Sequence, residues 1–67
     1  MLDYSYLKSK IYEKYGSNEK FANALGISNA SLSLRLNNKK DFTQSEIIKA
    51  MDLLNLTSIE KVFFKKH

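Results

Sequence analysis

The sequence predicts an all-α fold of five short helices, built as a single domain over residues 1–67. The chain contains no proline and only two glycines, and this scarcity of chain-breaking residues favours helices joined by short turns over a strand-rich fold. Apolar residues recur at helical spacing along most of the chain, and residues that favour helix N-caps precede these runs. The predicted helices are 4–15, 18–25, 29–37, 44–54 and 58–65.

The first two helices are each defined by one apolar face and by the residues at their ends. The apolar stripe of the first helix consists of Leu7, Ile11 and Tyr15. Gly16 suits the left-handed conformation that ends a helix, and Ser17 can cap the next one. The short apolar face of the second helix consists of Phe21, Ala22 and Leu25. Gly26 closes this helix after barely two turns, and Ser28 can cap the third.

The third helix contains an alternation of leucines that, taken alone, is typical of a β-strand. At about 100° per residue, however, Leu32 and Leu36 share the inner face of a helix while Leu34 points away from it. In the fourth helix, Thr43 and Glu46 form a capping box, followed by the apolar residues Ile47, Ile48, Met51 and Leu54. Thr57 or Ser58 can cap a fifth helix, in which Phe63 is predicted to point inward.

Composition limits the classes of function. Eleven basic side chains stand against seven acidic ones, a net charge of +4, which suggests a polyanionic partner, although a generally solvated surface explains it equally well. The chain has no cysteine, scattered carboxylates and no glycine-rich phosphate loop. We therefore expect no enzyme, cofactor, metal or small-molecule substrate. No apolar run approaches the ~18 residues of a membrane span, and no export signal is recognisable, so we expect a cytoplasmic protein without a membrane partner.

Residues 18–37 carry four residue types at helix-turn-helix spacing. Ala22 is fifth in this stretch, Gly26 ninth, Ile27 tenth and Leu32 fifteenth. The alanine must be small because the following helix crosses close over it, and the glycine permits a positive φ in a tight turn. The two aliphatic residues hold the helices at a fixed angle. The spacing predicts a helix-turn-helix made of the second and third helices, in which the third helix enters the major groove of DNA.

With this motif in this helical context, the chain resembles the small Cro and repressor helix-turn-helix proteins of phages, especially Cro-like regulators of phages of Gram-positive bacteria. The resemblance covers nearly the whole chain, including the final segment LLNLTSIEKVFF. It implies a five-helix lambda-repressor-like domain and a sequence-specific regulator of transcription that binds double-stranded DNA. We expect a Cro-like repressor, located in the cytoplasm of a bacterial host, that binds a pseudo-palindromic operator. The alternative is a protein-binding adaptor or antirepressor that keeps the fold without binding DNA.

Two positions depart from the family pattern. Members often pair an arginine in the first helix with a glutamate in the third, whereas Ile11 and Leu36 occupy the matching positions here. An apolar contact is then expected in place of the ion pair. Arg35 stands where the family usually has an aliphatic residue. Either its guanidinium reaches Glu13 or Glu46 while its stem packs, or the register shifts by one residue near the end of the helix.

The outward face of the third helix resembles the base-reading surface of the family. The predicted base-reading residues are Asn29, Ala30, Ser33 and Leu34. The predicted phosphate-contacting residues are Asn18, Ser28, Asn37, Asn38, Lys39 and Lys40. Each set has a simpler explanation. Leu34 can be a core residue if the helix is rotated, the two asparagines 37 and 38 can be the helix C-cap, and the two lysines can be ordinary solvated side chains.

The final segment is predicted to contribute a dimer interface. In the resembling family, the last helix and its neighbouring turn form a small two-fold contact, which would fall here on Val62 and the outward-facing Phe64. A homodimer on DNA would place two recognition helices about 34–36 Å apart, one turn of the duplex.

Overall fold

The computed structural model describes residues 2–58 and Phe63. Within those residues the protein is all-helical and contains no strand, as predicted, with four helices: α1 (Ser5–Tyr15), α2 (Asn18–Leu25), α3 (Asn29–Leu36) and α4 (Gln44–Leu53). Each begins and ends within one residue of its predicted bounds. The predicted fifth helix, 58–65, lies outside the described residues except at Ser58 and at Phe63, which is helical and buried. The count of five helices is therefore not confirmed.

The N-terminal caps form as the sequence predicts. The hydroxyls of Ser17 and Ser28 accept hydrogen bonds from backbone N–H groups in the first turns of α2 and α3. At α4, the Thr43 hydroxyl accepts from the Glu46 N–H at 3.2 Å, and the Glu46 carboxylate accepts from the Thr43 N–H at 2.9 Å. Each such bond satisfies a backbone donor that a helix leaves unpaired at its start, so these short helices begin at defined residues.

The helix α2 is the centre of the fold, because it packs against each of α1, α3 and α4. Its side chains Phe21 and Ala22 are fully buried. Ile11 from α1 and Leu36 from α3 are both buried in the same core, as expected for an apolar contact at these two positions. No described helix has the length and apolar character needed to cross a membrane.

An aromatic cluster closes one side of the core. Phe42, in the loop after α3, contacts Tyr4 and Phe63 edge to face, with ring centroids 5.6 and 5.1 Å apart. No helical pattern in the sequence predicts that Phe42 is buried, because the residue lies in a loop between two helices. Desolvation, and secondarily the negative charge of Asp41, raise the pKa of the Tyr4 hydroxyl, which therefore stays neutral at physiological pH.

Two large side chains of the helices are exposed. Ile48 in α4 is 61% exposed and Tyr12 in α1 is 63% exposed. The buried face of α4 is centred on Ala50 and Leu54, and Ile48 lies about 200° around the helix from Ala50. The helical period thus excludes Ile48 from the core.

Candidate functional site

A three-residue turn, residues 26–28, joins α2 to α3. Gly26 has φ +90°, and a Cβ placed there would meet only the Lys49 Nζ, at 3.6 Å. The glycine is therefore required by backbone conformation and not by lack of space. The Ala22 carbonyl accepts from the N–H groups of both Gly26 and Ile27, at 2.9 and 3.0 Å. These two bonds fix the direction in which the chain enters α3.

The helix α3 has one buried and one exposed face. Leu32 and Leu36 are buried, whereas the exposed side chains include the four predicted base readers: Asn29, Ala30, Ser33 and Leu34. Leu34 is 46% exposed, so the alternative that it belongs to the core is wrong. The structure thus brings the four predicted residues onto one exposed helix, and their contact with bases stays a prediction.

Four of the six predicted phosphate-contacting residues are considered first: Asn18, Ser28, Lys39 and Lys40. Lys39 and Lys40 are exposed directly after α3. The Ser28 hydroxyl already accepts the capping bond from the Ser31 N–H at 3.0 Å, but its own hydrogen can still be donated. Asn18, the first residue of α2, has a buried Oδ1 without a hydrogen-bond partner among the described residues.

The two asparagines after α3 serve the end of the helix, as the simpler explanation proposed. Asn37 is the C-cap residue, and its Nδ2 donates to the Ser33 carbonyl at 2.9 Å. Asn38 has φ +59°, the left-handed conformation that asparagine tolerates better than most residues. Its side chain bonds to the backbone of Leu2, 36 residues away, a contact for which the sequence contains no local signal.

Arg35 joins α3 to α4 through a largely buried ion pair. Its Nε and Nη2 donate to the Glu46 Oε1 and Oε2 at 2.8 and 3.1 Å, and its Nη1 donates to the Ser31 carbonyl at 2.9 Å. The two side chains are only 8% and 14% accessible. The guanidinium therefore reaches Glu46 and not Glu13, and the expected register of α3 holds. The same glutamate both caps α4 and anchors α3.

The pKa of the Glu46 carboxyl is lowered from its ordinary value. Desolvation alone would raise this pKa, but the hydrogen bond from Arg35, the hydrogen bond from the Thr43 N–H and the positive charge of Arg35 together outweigh it. The folded state thus favours the ionised carboxylate. Glu46 is expected to stabilise the fold above its unfolded pKa, which is near 4.5, and to lose that contribution as the pH falls through its lower folded pKa.

The wild-type protein is therefore expected to lose stability in acid faster than a Glu46→Gln variant. The free energy of unfolding of each protein should be measured by urea denaturation between about pH 7 and about pH 3. We expect the wild-type advantage to be constant above about pH 5 and to shrink below about pH 4.5. In that range the unfolded wild type takes up a proton on Glu46 more readily than the folded protein does, whereas the glutamine of the variant takes up none. A difference that is unchanged across the whole range would contradict the assigned ion pair.

Arg35 is the only arginine of the chain, and the ion pair places it inside. The exposed face of α3 thus carries no guanidinium that could bind a guanine through two hydrogen bonds. That face offers amide, hydroxyl and methyl groups only. The two positions predicted to form the dimer contact, Val62 and Phe64, lie outside the described residues.

Comparison with known proteins adds a family to this geometry. A family model described as a protein of unknown function, DUF739, matches residues 1–66. The chain belongs to this family. The DUF739 chain is also similar to the solution structure of the modulator of repression (MOR) of the temperate bacteriophage TP901-1 from Lactococcus lactis. The two share 44% identity and a TM-score of 0.81, over 98% of this chain and 95% of that one. None of the curated proteins matches the DUF739 chain.

Proposed function

We propose that this protein regulates repression in a temperate phage and that it does so as a helix-turn-helix protein whose α3 binds operator DNA. The observation that supports the regulatory role most directly is the near full-length similarity to a phage modulator of repression. A likeness of this extent at 44% identity supports a shared role as well as a shared fold. The proposed location is the cytoplasm of the bacterial host, where the phage genome is transcribed.

The exposed face of α3 supports the DNA-binding part of the proposal. Asn29 can offer an adenine both a donor and an acceptor, a pairing worth about 1–3 kcal/mol of discrimination. Ala30 and Leu34 can contact thymine methyl groups, and Ser33 can pair with several bases. Because Arg35 is held by Glu46, the operator half-site is expected to be richer in A·T than in G·C at the positions that α3 reads.

The loop after α3 would supply the contacts to the phosphate backbone. Lys39 and Lys40 are exposed there, and lysines beside a recognition helix fix a protein on the duplex without reading its sequence. We further propose that two copies bind together through a contact that includes Val62 and Phe64. Two copies would match an operator with half-sites one helical turn apart.

A second candidate function is direct binding to a repressor protein through the same face. Two observations favour it: the α3 surface is uncharged and presents Leu34 at 46% exposure, and the similar phage protein is named a modulator of repression. An exposed apolar side chain surrounded by small polar ones suits a protein surface as well as a major groove.

A titration against DNA flanking its own gene separates the two candidates. If α3 and its loop bind DNA, affinity should fall steeply with salt, and the double variant Lys39→Ala/Lys40→Ala should flatten the slope of log K against log salt by about two. The matched control is Lys14→Ala, which removes an exposed lysine from α1 and should leave the slope unchanged.

The same titration should be repeated with the phage repressor, alone and on its operator. Tight binding to the repressor together with no DNA binding at low salt would refute the DNA proposal and support the second candidate. Binding to neither would refute both.

A further inference from the structure

We propose that the N-terminal segment Leu2–Tyr4 holds the loop 37–43 in place, and that Asn38, through its bonds to this segment, positions Lys39 and Lys40. The segment and the loop are far apart in sequence, since Leu2 and Asn38 are separated by 36 residues. The role of the loop rests on the proposed DNA-binding function, whereas the contact that holds it is a property of the structure.

The first attachment is a pair of reciprocal hydrogen bonds. The Asn38 Nδ2 donates to the Leu2 carbonyl at 2.8 Å, and the Asn38 Oδ1 accepts from the Leu2 N–H at 3.2 Å. One side-chain amide thus satisfies both backbone groups of a single residue, as a neighbouring strand would. The second N–H of the Asn38 Nδ2 group is not used by this pair, so the bonds to Leu2 do not prevent a phosphate contact. The phosphate contact of Asn38 stays a prediction, and the bonds to Leu2 give the residue a positioning role that the sequence does not indicate.

The second attachment is aromatic. Tyr4 is 6% exposed and packs edge to face against Phe42 at the other end of the loop. Between the two attachments the Asp3 carboxylate accepts from the N–H and the hydroxyl of Ser5, at 2.9 and 2.6 Å. These bonds fix the direction in which the segment enters α1.

The two attachments bracket the lysines. Asn38 and Phe42 are held by residues 2 and 4, and the loop residues between them, including Lys39 and Lys40, are exposed. The backbone of the loop is fixed further where the Lys39 N–H donates to the Leu34 carbonyl at 2.8 Å. A lysine on an ordered backbone loses less conformational entropy when it meets a phosphate than one on a mobile loop. The N-terminal segment should therefore raise affinity for a polyanion without touching it.

The test compares Asn38→Gly with a matched control, Asn55→Gly. Both asparagines have positive φ at the end of a helix, 59° and 53°, so glycine suits either backbone. Only Asn38 has side-chain bonds to the N-terminal segment. A second variant, Leu2→Pro, removes the backbone N–H that donates to the Asn38 Oδ1 and leaves the loop sequence unchanged. The measurements are backbone ¹⁵N relaxation at residues 39–41 and the salt-dependent affinity for a fluorescent duplex from the flanking DNA.

We expect Asn38→Gly and Leu2→Pro each to increase the mobility of residues 39–41 and to weaken duplex binding about fivefold to tenfold, the contribution of about one phosphate contact. Asn55→Gly should change neither quantity. If the mobility of residues 39–41 rises only in Asn38→Gly, the effect comes from glycine itself and the proposal is overturned. An increase in mobility that leaves the duplex affinity unchanged overturns the proposal as well. If the wild type binds no duplex at any salt concentration, the proposed DNA function fails, and the relaxation data still decide whether the segment holds the loop.

Discussion

Replacing Glu46 with alanine is expected to lower the free energy of unfolding by about 3 kcal/mol, because it leaves the Arg35 guanidinium charged and unpaired. This value is at the lower end of the range for broken buried pairs, since the Glu46 side chain keeps 14% of its surface accessible. The variant also loses the acceptor for the Thr43 N–H at the start of α4. For a chain of 67 residues, the whole stability is about 3–10 kcal/mol. A partly unfolded population at 37 °C is therefore expected, measurable by circular dichroism and urea denaturation.

The matched control is the double variant Arg35→Met/Glu46→Ala. Methionine keeps an apolar stem of similar length, and no unpaired charge remains in the fold, so much of the lost stability should return. A double-mutant cycle with Arg35→Met alone gives the coupling energy between the two side chains. If the double variant is no more stable than Glu46→Ala, the burial of an unpaired charge is not the cause of the loss.

Phe21→Ala is expected to be at least as damaging, with a loss of about 3–5 kcal/mol. The ring is fully buried in α2, the helix that contacts the other three described helices. It also contacts Tyr15 edge to face, with ring centroids 5.3 Å apart. Such a pair stabilises the fold by about 0.5–1.5 kcal/mol beyond the contribution of the apolar area that the ring buries. The measurement is again the urea midpoint, with the melting temperature as a second readout.

Two further variants sharpen that experiment. Phe21→Leu keeps most of the apolar volume and should lose clearly less than Phe21→Ala. Leu34→Ala removes a side chain that is 46% exposed and should change the stability by less than about 0.5 kcal/mol. A Leu34→Ala variant as unstable as Phe21→Ala would mean that α3 is rotated from the orientation described.

The helices were predictable because their signals are local. Ser17, Ser28 and Thr43 cap the helices that follow them, and Gly26 takes the left-handed conformation that ends α2. Such features depend on neighbouring residues alone, so one sequence suffices to find them. The exposure of Leu34 followed from the same helical period.

The failures concern contacts between residues that are distant in sequence. The burial of Phe42 depends on Tyr4 and Phe63, and the bonds of Asn38 depend on Leu2. Arg35 had two possible partners, and the choice of Glu46 required the relative placement of α3 and α4. Ile48 is one of the apolar residues of the fourth helix, yet it is exposed, because it lies about 200° around the helix from the buried Ala50. Periodicity shows which face of a helix is apolar, but the residues that pack against that face are determined by the tertiary structure.

The separation of buried and exposed residues within α3 has a consequence for how the proposed binding face can change its target. Its structural residues, Leu32, Arg35 and Leu36, are buried, and its predicted readers occupy other positions on the exposed face. Exchanging exposed residues has little effect on folding. The scaffold can therefore acquire a new binding preference through a few surface substitutions, with no compensating change in the core. Under the proposed phage role, the target of the protein can diverge between related phages while its fold is kept.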